Sequence, residues 1–182
     1  MFADFDIGQL AMAPLTPNPS AVYALSAAVR TLEHPLPRPI PPPPDMAQVI
    51  SGKTFSLSSE TRTPLIKFIS FDFSRVDDYS LSIDSGTTSR RLSLGLDGRF
   101  RITPTGEFGP LPGENKIASR GRWINANALE LELLWVGEPL HSKLILSFES
   151  DRVVIKRQVY PAGLELNLVG TPSERKIAEP AT

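Results

Sequence analysis

A chain of 182 residues, 41% hydrophobic and 21% charged, has room for one ordinary core. Its formal charge of -1 gives no electrostatic case for binding nucleic acid or an anionic membrane. Having no cysteine and only two histidines, far apart, it offers no disulfide, no thiolate nucleophile and no zinc cluster, and no metal or cofactor is expected.

The first residues, MFADFDIGQL, show neither a basic region nor a long apolar run. No signal peptide or membrane span is legible in them, so a cytoplasmic location is the default expectation, with the periplasm the alternative should the chain be a fragment. Asn18 followed by Pro19 is a helix-start signature, and Val22, Leu25, Val29 and Leu32 then recur at helical spacing. This predicts one amphipathic helix ending near His34, with an apolar stripe that needs a surface to cover it. From Pro35 onward the sequence PLPRPIPPPPDMAQVI lacks backbone donors at many positions and predicts a stiff polyproline-type linker over 35–50.

Beyond the linker the period changes to two. Strands are predicted over Lys53–Leu57, Ile66–Phe73, Tyr79–Asp84, Arg91–Leu94, Arg99–Thr103, Ile117–Ile124, Ala128–Trp135, His141–Glu149, Arg152–Tyr160 and Leu164–Leu168. Short strands at short intervals, with no helical pattern between them, imply an all-β fold: an antiparallel, lipocalin-like barrel of about eight to ten strands. The predicted organisation is a helical segment over 1–34, the linker over 35–50, the barrel over 51–170 and a flexible tail over 171–182.

Two hairpins can be registered from side-chain chemistry. A three-residue loop of Asn125, Ala126 and Asn127 sets Arg122 against Glu130 and Arg120 against Glu132, with Trp123 meeting Leu129 and Ile117 meeting Trp135 on the other face. A slip of one residue would oppose Arg122 to Leu131. A two-residue loop at Ser150 and Asp151 sets Phe148 against Val153 and Leu146 against Ile155. That second register also puts Arg157 on the face of Val153 and Ile155, opposite Leu144. A guanidinium there must either reach water or a carboxylate at the barrel rim, or anchor a ligand at the mouth of a cavity lined by Trp123, Trp135 and Phe148.

Matches to catalytic motifs fail on context. Ala47–Thr54, AQVISGKT, fits a relaxed phosphate-loop pattern, but it follows a proline run and opens a strand. Ser173–Lys176, SERK, is formally an S-x-x-K, yet it lies in a polar, proline-bearing tail with no helix to hold it in register. Asp77 and Asp78 read as a turn. Glu130 and Glu132 are accounted for by the arginines across their hairpin.

The order PNPSAVYALSAAV, proline run, AQVISGKTF, LDGRF, GRWINANALELELLWVGEP and LILSFESDRVVI resembles the C-terminal region of beta-lactamase-related serine hydrolases. The resemblance spans most of Pro17–Tyr160 and implies a last helix of a catalytic domain, a linker, and a lipocalin-like barrel. The hydrolase domain itself, with its nucleophile and Tyr-x-Asn and Lys-Thr-Gly elements, is absent, so no catalytic residue carries over. The expected function is therefore that of a non-catalytic accessory domain in docking or substrate gating. Its partner would be the hydrolase domain or a second copy, met through Val22, Leu25, Val29 and Leu32. The alternative is a free-standing carrier of a small apolar ligand, held by Trp123, Trp135, Phe148 and Arg157.

Overall fold

The structure is a computed structural model and describes residues 18–33, 39, 41–59, 66–76, 78–106, 115–149 and 151–177. The expected helix end at His34, the side chain of Leu32, the linker residues 35–38 and 40, Asp77, Ser150 and tail residues 178–182 lie outside the described residues. The chain forms two compact units, Met1–Leu36 and Pro37–Thr182.

In the first unit, helix α1 (Pro19–Glu33) begins where the Asn-Pro pair places it. The Asn18 side chain accepts from the Ala21 amide at 3.0 Å, and its carbonyl accepts from Val22 at 3.1 Å, which satisfies donors a helix start leaves open. Among the described residues no helix is long and apolar enough to cross a membrane.

The second unit opens with a departure from the linker reading. Asp45–Ile50 is a helix, α2, with Pro44 as its N-cap residue, Asp45 in its first turn, and Ala47 and Ile50 buried. Six residues are too few to display a helical period and too few to be stable alone, so burial of Ala47 and Ile50 is what holds them.

Ten strands follow: β1 (Thr54–Ser58), β2 (Phe68–Asp72), β3 (Ser80–Asp84), β4 (Ser89–Ser93), β5 (Arg101–Gly106), β6 (Asn115–Asn125), β7 (Ala128–Trp135), β8 (His141–Phe148), β9 (Val153–Tyr160) and β10 (Leu164–Ser173). Each pairs with its sequence neighbour except β4 with β5, and β1 pairs antiparallel with β10, so the meander curls into a nearly closed barrel. At the β4–β5 seam other contacts replace a ladder. Arg90 Nε donates to the Thr105 carbonyl at 2.8 Å, the Ser93 amide to Thr103 Oγ1 at 3.1 Å, and the Gly121 amide to the Gly95 carbonyl at 3.0 Å. Near-closure leaves little strand edge exposed to other chains.

Both predicted registers hold. Arg122 faces Glu130, Arg120 faces Glu132, Trp123 faces Leu129 and Ile117 faces Trp135, although Asn125 itself pairs with Ala128 and the extra residue is absorbed as a bulge after Trp123. Phe148 faces Val153 and Leu146 faces Ile155. The charged face is drier than alternation implies at one place. Glu130 is only 8% exposed, because Arg122 and Lys143 each bond its carboxylate at 2.8 Å. The Arg122 hydrogen bond first, then that of Lys143, holds the Glu130 carboxyl below its ordinary range.

Strand β10 runs five residues past its predicted end at Leu168, into the segment read as tail. Gly170 and Pro172 look like strand breakers, yet they pair with Leu57 and Phe55. At Gly170 a Cβ would meet Val153 Cγ1 at 2.6 Å and Leu57 Cδ2 at 3.0 Å, so the glycine admits side chains of both neighbouring strands to one spot. Beyond it Arg175 reaches the buried Asp84 at 3.0 Å and lies over the Phe68 ring at 4.5 Å, which fastens the start of the tail.

The interior is divided along the barrel. At the end where α2 sits, with Ser51 bridged to Phe71, the rings of Phe71, Phe73, Trp123 and Phe148 contact one another at centroid distances of 5.7 to 5.9 Å. Below them Leu129, Leu131, Leu146, Val153 and Ile155 are almost wholly buried. Toward the opposite end, where Ile117, Trp135, Ser142, Arg157 and Val159 lie, the inner face becomes partly polar.

Candidate functional site

Pairing in a ladder places opposed residues on the same face, so the face of each strand follows from the registers. Val153, Ile155, Arg157 and Val159 form the inner face of β9, and Ser142, Leu144, Leu146 and Phe148 that of β8. Arg157 faces Leu144 and Leu166 and is half-buried, as its register requires. Its Nε and Nη2 donate to Ser142 Oγ at 3.2 and 3.0 Å. Ser142 is fully buried. The guanidinium, expected to reach water or a carboxylate at the rim or to anchor a ligand, has the Ser142 hydroxyl as one of its partners on the inner wall.

The four residues expected to line one lumen separate into two groups. Trp123 and Phe148 are in ring contact, 5.9 Å apart, within the aromatic cluster near α2. Arg157 and Trp135 lie toward the other end, where Trp135 pairs with Ile117 two residues beyond Leu133, the partner of Ser142. Trp135 is 9% exposed and its Nε1 has no hydrogen-bond partner among the described residues. On α1, Val22, Leu25 and Val29 are 63%, 67% and 41% exposed, with Tyr23 beside them at 72%. A groove of about 120 Å³ between β8, β9 and β10 opens on the outer face among Lys143, Lys156, Gln158 and Glu165 and is a feature of the solvated surface.

Arg90 was not singled out by sequence, although it stands two residues before Leu92 just as Arg157 stands two after Ile155. It pairs with Ile83, buried on the inner face of β3, and so shares that face. Around the barrel β4 and β9 are five strands apart in ten, on opposite walls. The ladders carry the row of Arg90 through Ile83, Ile69 and Phe55 to Pro172, six residues past Leu166, the partner of Arg157. The seam contact of Arg90 with Thr105 closes the circuit with a stagger of about twelve residues, of which about six accumulate over half the barrel. The two residues therefore stand at about the same depth on opposite walls, with the Arg90 side chain bonded along its own wall to the Thr105 and Ser89 carbonyls.

The third inner-face arginine, Arg101, pairs with Ser119 and bonds Asp97 at 3.0 Å. Asp97 is 9% exposed. Its burial raises the carboxyl's pKa, but the Arg101 hydrogen bond and the Arg99 amide outweigh this and hold it below the ordinary range. Among the described strand residues, no aspartate or glutamate occupies an inner-face position, while Arg90, Arg101 and Arg157 do.

No family model and no curated protein matches the chain. Among solved structures, a fatty acid-binding protein from brain tissue of Drosophila melanogaster, crystallised without citrate inside, is similar at 15% identity and a TM-score of 0.46, covering 67% of this chain and 98% of that one. The registers themselves define the class: a ten-stranded, nearly closed, lipocalin-like antiparallel barrel.

Proposed function

We propose that this barrel binds a small anionic amphiphile, with the acidic head at Arg157 and Ser142 and the apolar body against Leu133, Leu144, Val159 and Leu166. The observation that carries this reading is a polar pair on an otherwise apolar inner wall, where Arg157 Nε and Nη2 donate to the buried Ser142 Oγ at 3.2 and 3.0 Å. A guanidinium can receive a carboxylate through two parallel hydrogen bonds. The cluster of Phe71, Phe73, Trp123 and Phe148 fills the α2 end, so the ligand is short. Ten strands enclose a wider lumen than eight.

Titration with decanoate, followed by tryptophan fluorescence, tests the reading. Saturable micromolar binding that weakens at least tenfold in Arg157→Leu is expected; absence of binding to the folded wild-type protein would refute it. A second reading, docking of α1 onto a hydrolase domain or a second copy, is supported by the exposure of Val22, Leu25 and Val29.

A further inference from the structure

Resting on the second reading, in which α1 docks onto a second copy, we infer that its occupant is the same helix of that copy, laid alongside in parallel as a two-stranded pair. The stripe is narrow. Val22, Leu25, Val29 and Leu32 recur at steps of three, four and three, which are the a and d positions of two successive heptads. A helix that covers the flank of a globular domain carries a further large apolar residue per heptad, at e or g, whereas a strict a/d stripe is the seam of a helix pair. In α1 the e and g positions are Ala21, Ser26, Ala28 and Glu33, none of them a large apolar residue. The charged residues of the helix are Arg30 at b and Glu33 at e, so no charge stands at a or d.

The residue types set the number of strands and their direction. Valine at both a positions with leucine at both d positions favours two parallel helices over three or four. Each residue then meets its own counterpart, whereas an antiparallel pair would set Leu25 against Val29. A lone helix of 15 residues is marginal in water, and every α1 side chain that is described is exposed, with Val22, Leu25 and Val29 at 63%, 67% and 41%. Pairing buries the stripe. Two heptads cover well under the area of about 1,200 Å² at which stable complexes begin, so the pair is weak, with a dissociation constant of about 0.1 to 1 mM.

The chain has no cysteine, so a single introduced thiol reports which residues meet. A disulfide forms only where two Cα atoms come within about 7 Å, as counterparts at one d position do in a parallel pair. With oxidised glutathione at about pH 8, full-length Leu25→Cys should form covalent dimer at least tenfold faster than Ala27→Cys, whose f position faces away from the seam and measures random collision. Val22→Ile with Val29→Ile adds a methylene group at each a position and should tighten self-association in sedimentation at least tenfold; an unchanged constant would overturn the valine seam. Cross-linking that is fastest in a mixture of Leu25→Cys and Val29→Cys would overturn the parallel pair and leave docking onto a second copy in place. Wild-type monomer throughout sedimentation up to about 1 mM, with Leu25→Cys no faster than Ala27→Cys, would overturn the pair and that docking together.

Discussion

Gly121 and Leu131 oppose each other across β6 and β7, and a Cβ added at Gly121 would stand 2.6 Å from Leu131 Cδ2, 3.0 Å from the Glu130 carbonyl and 3.3 Å from Leu96 Cδ2. Gly121→Ala should therefore destabilise by overpacking, about 2 kcal/mol. Leu131 is wholly buried, and Leu131→Ala should cost about 3 kcal/mol through lost transfer energy and the space left behind. In the double variant the new methyl enters the volume vacated by the leucine, which relieves the shortest of the three contacts but not the one to the carbonyl. The pair should cost about 3–4 kcal/mol against about 5 for the sum, a coupling of about 1–2 kcal/mol. Urea unfolding of the four proteins measures this. Additivity within about 0.5 kcal/mol would show that the interior around Gly121 is looser than the register requires.

Other consequences can be checked on the same protein. Because the folded Glu130 carboxyl is held low by Arg122 and Lys143, its stabilising contribution is present above about pH 4.3, its unfolded value, and is lost as pH falls toward and through the folded value. Glu130→Gln should accordingly lose about 1 kcal/mol at pH 7, discounted for the exposure of Arg122, and show a flatter melting-temperature profile between pH 6 and pH 3, in steps read by calorimetry. An unchanged slope would remove Glu130 as a source of acid sensitivity. Arg175→Ala should leave the buried Asp84 without its cation and cost about 1–2 kcal/mol in urea, whereas a truly loose tail would show no change. If the α1 stripe is a docking surface, Leu25→Glu with Val29→Glu should abolish self-association in sedimentation while the barrel's unfolding midpoint stays within about 0.5 kcal/mol. Unaltered sedimentation would leave α1 without that role.

The barrel was largely legible because its strands alternate and its hairpins carry paired charges. Arg120 and Arg122 can meet Glu132 and Glu130 in only one register, and that register fixes which leucines are buried. Departures cluster where a local signal is overridden by packing. DMAQVI is too short to show a helical period and becomes a helix because Ala47 and Ile50 are buried. Gly170 reads as a strand end although it is the place where Val153, Leu57 and Phe55 need room. At the site, Arg157 was visible through its spacing from Ile155, yet its partner Ser142 was not, since a serine in a strand gives no sign of facing inward. Arg90 carries the same spacing signal in SRRLS, but the adjacent Arg91, which faces outward to Asp72 and Asp78, makes the pair look like a solvated charge run. Trp123 and Trp135 could not be assigned to different ends by alternation alone, because it gives the face of a residue and not its depth. Depth came from the closure of β1 on β10 and from the stagger at the seam.

That separation supplies the most direct test of the account. The chain has two tryptophans, Trp123 in the aromatic cluster near α2 and Trp135 toward the arginine end, so an amide-correlation NMR spectrum contains two indole signals, assignable by Trp123→Phe and Trp135→Phe. On titration with octanoate, the Trp135 indole should shift progressively to saturation and the Trp123 indole should stay in place. Movement of Trp123 with Trp135 unmoved, or no movement of either, would contradict a ligand site at the arginine end of the barrel.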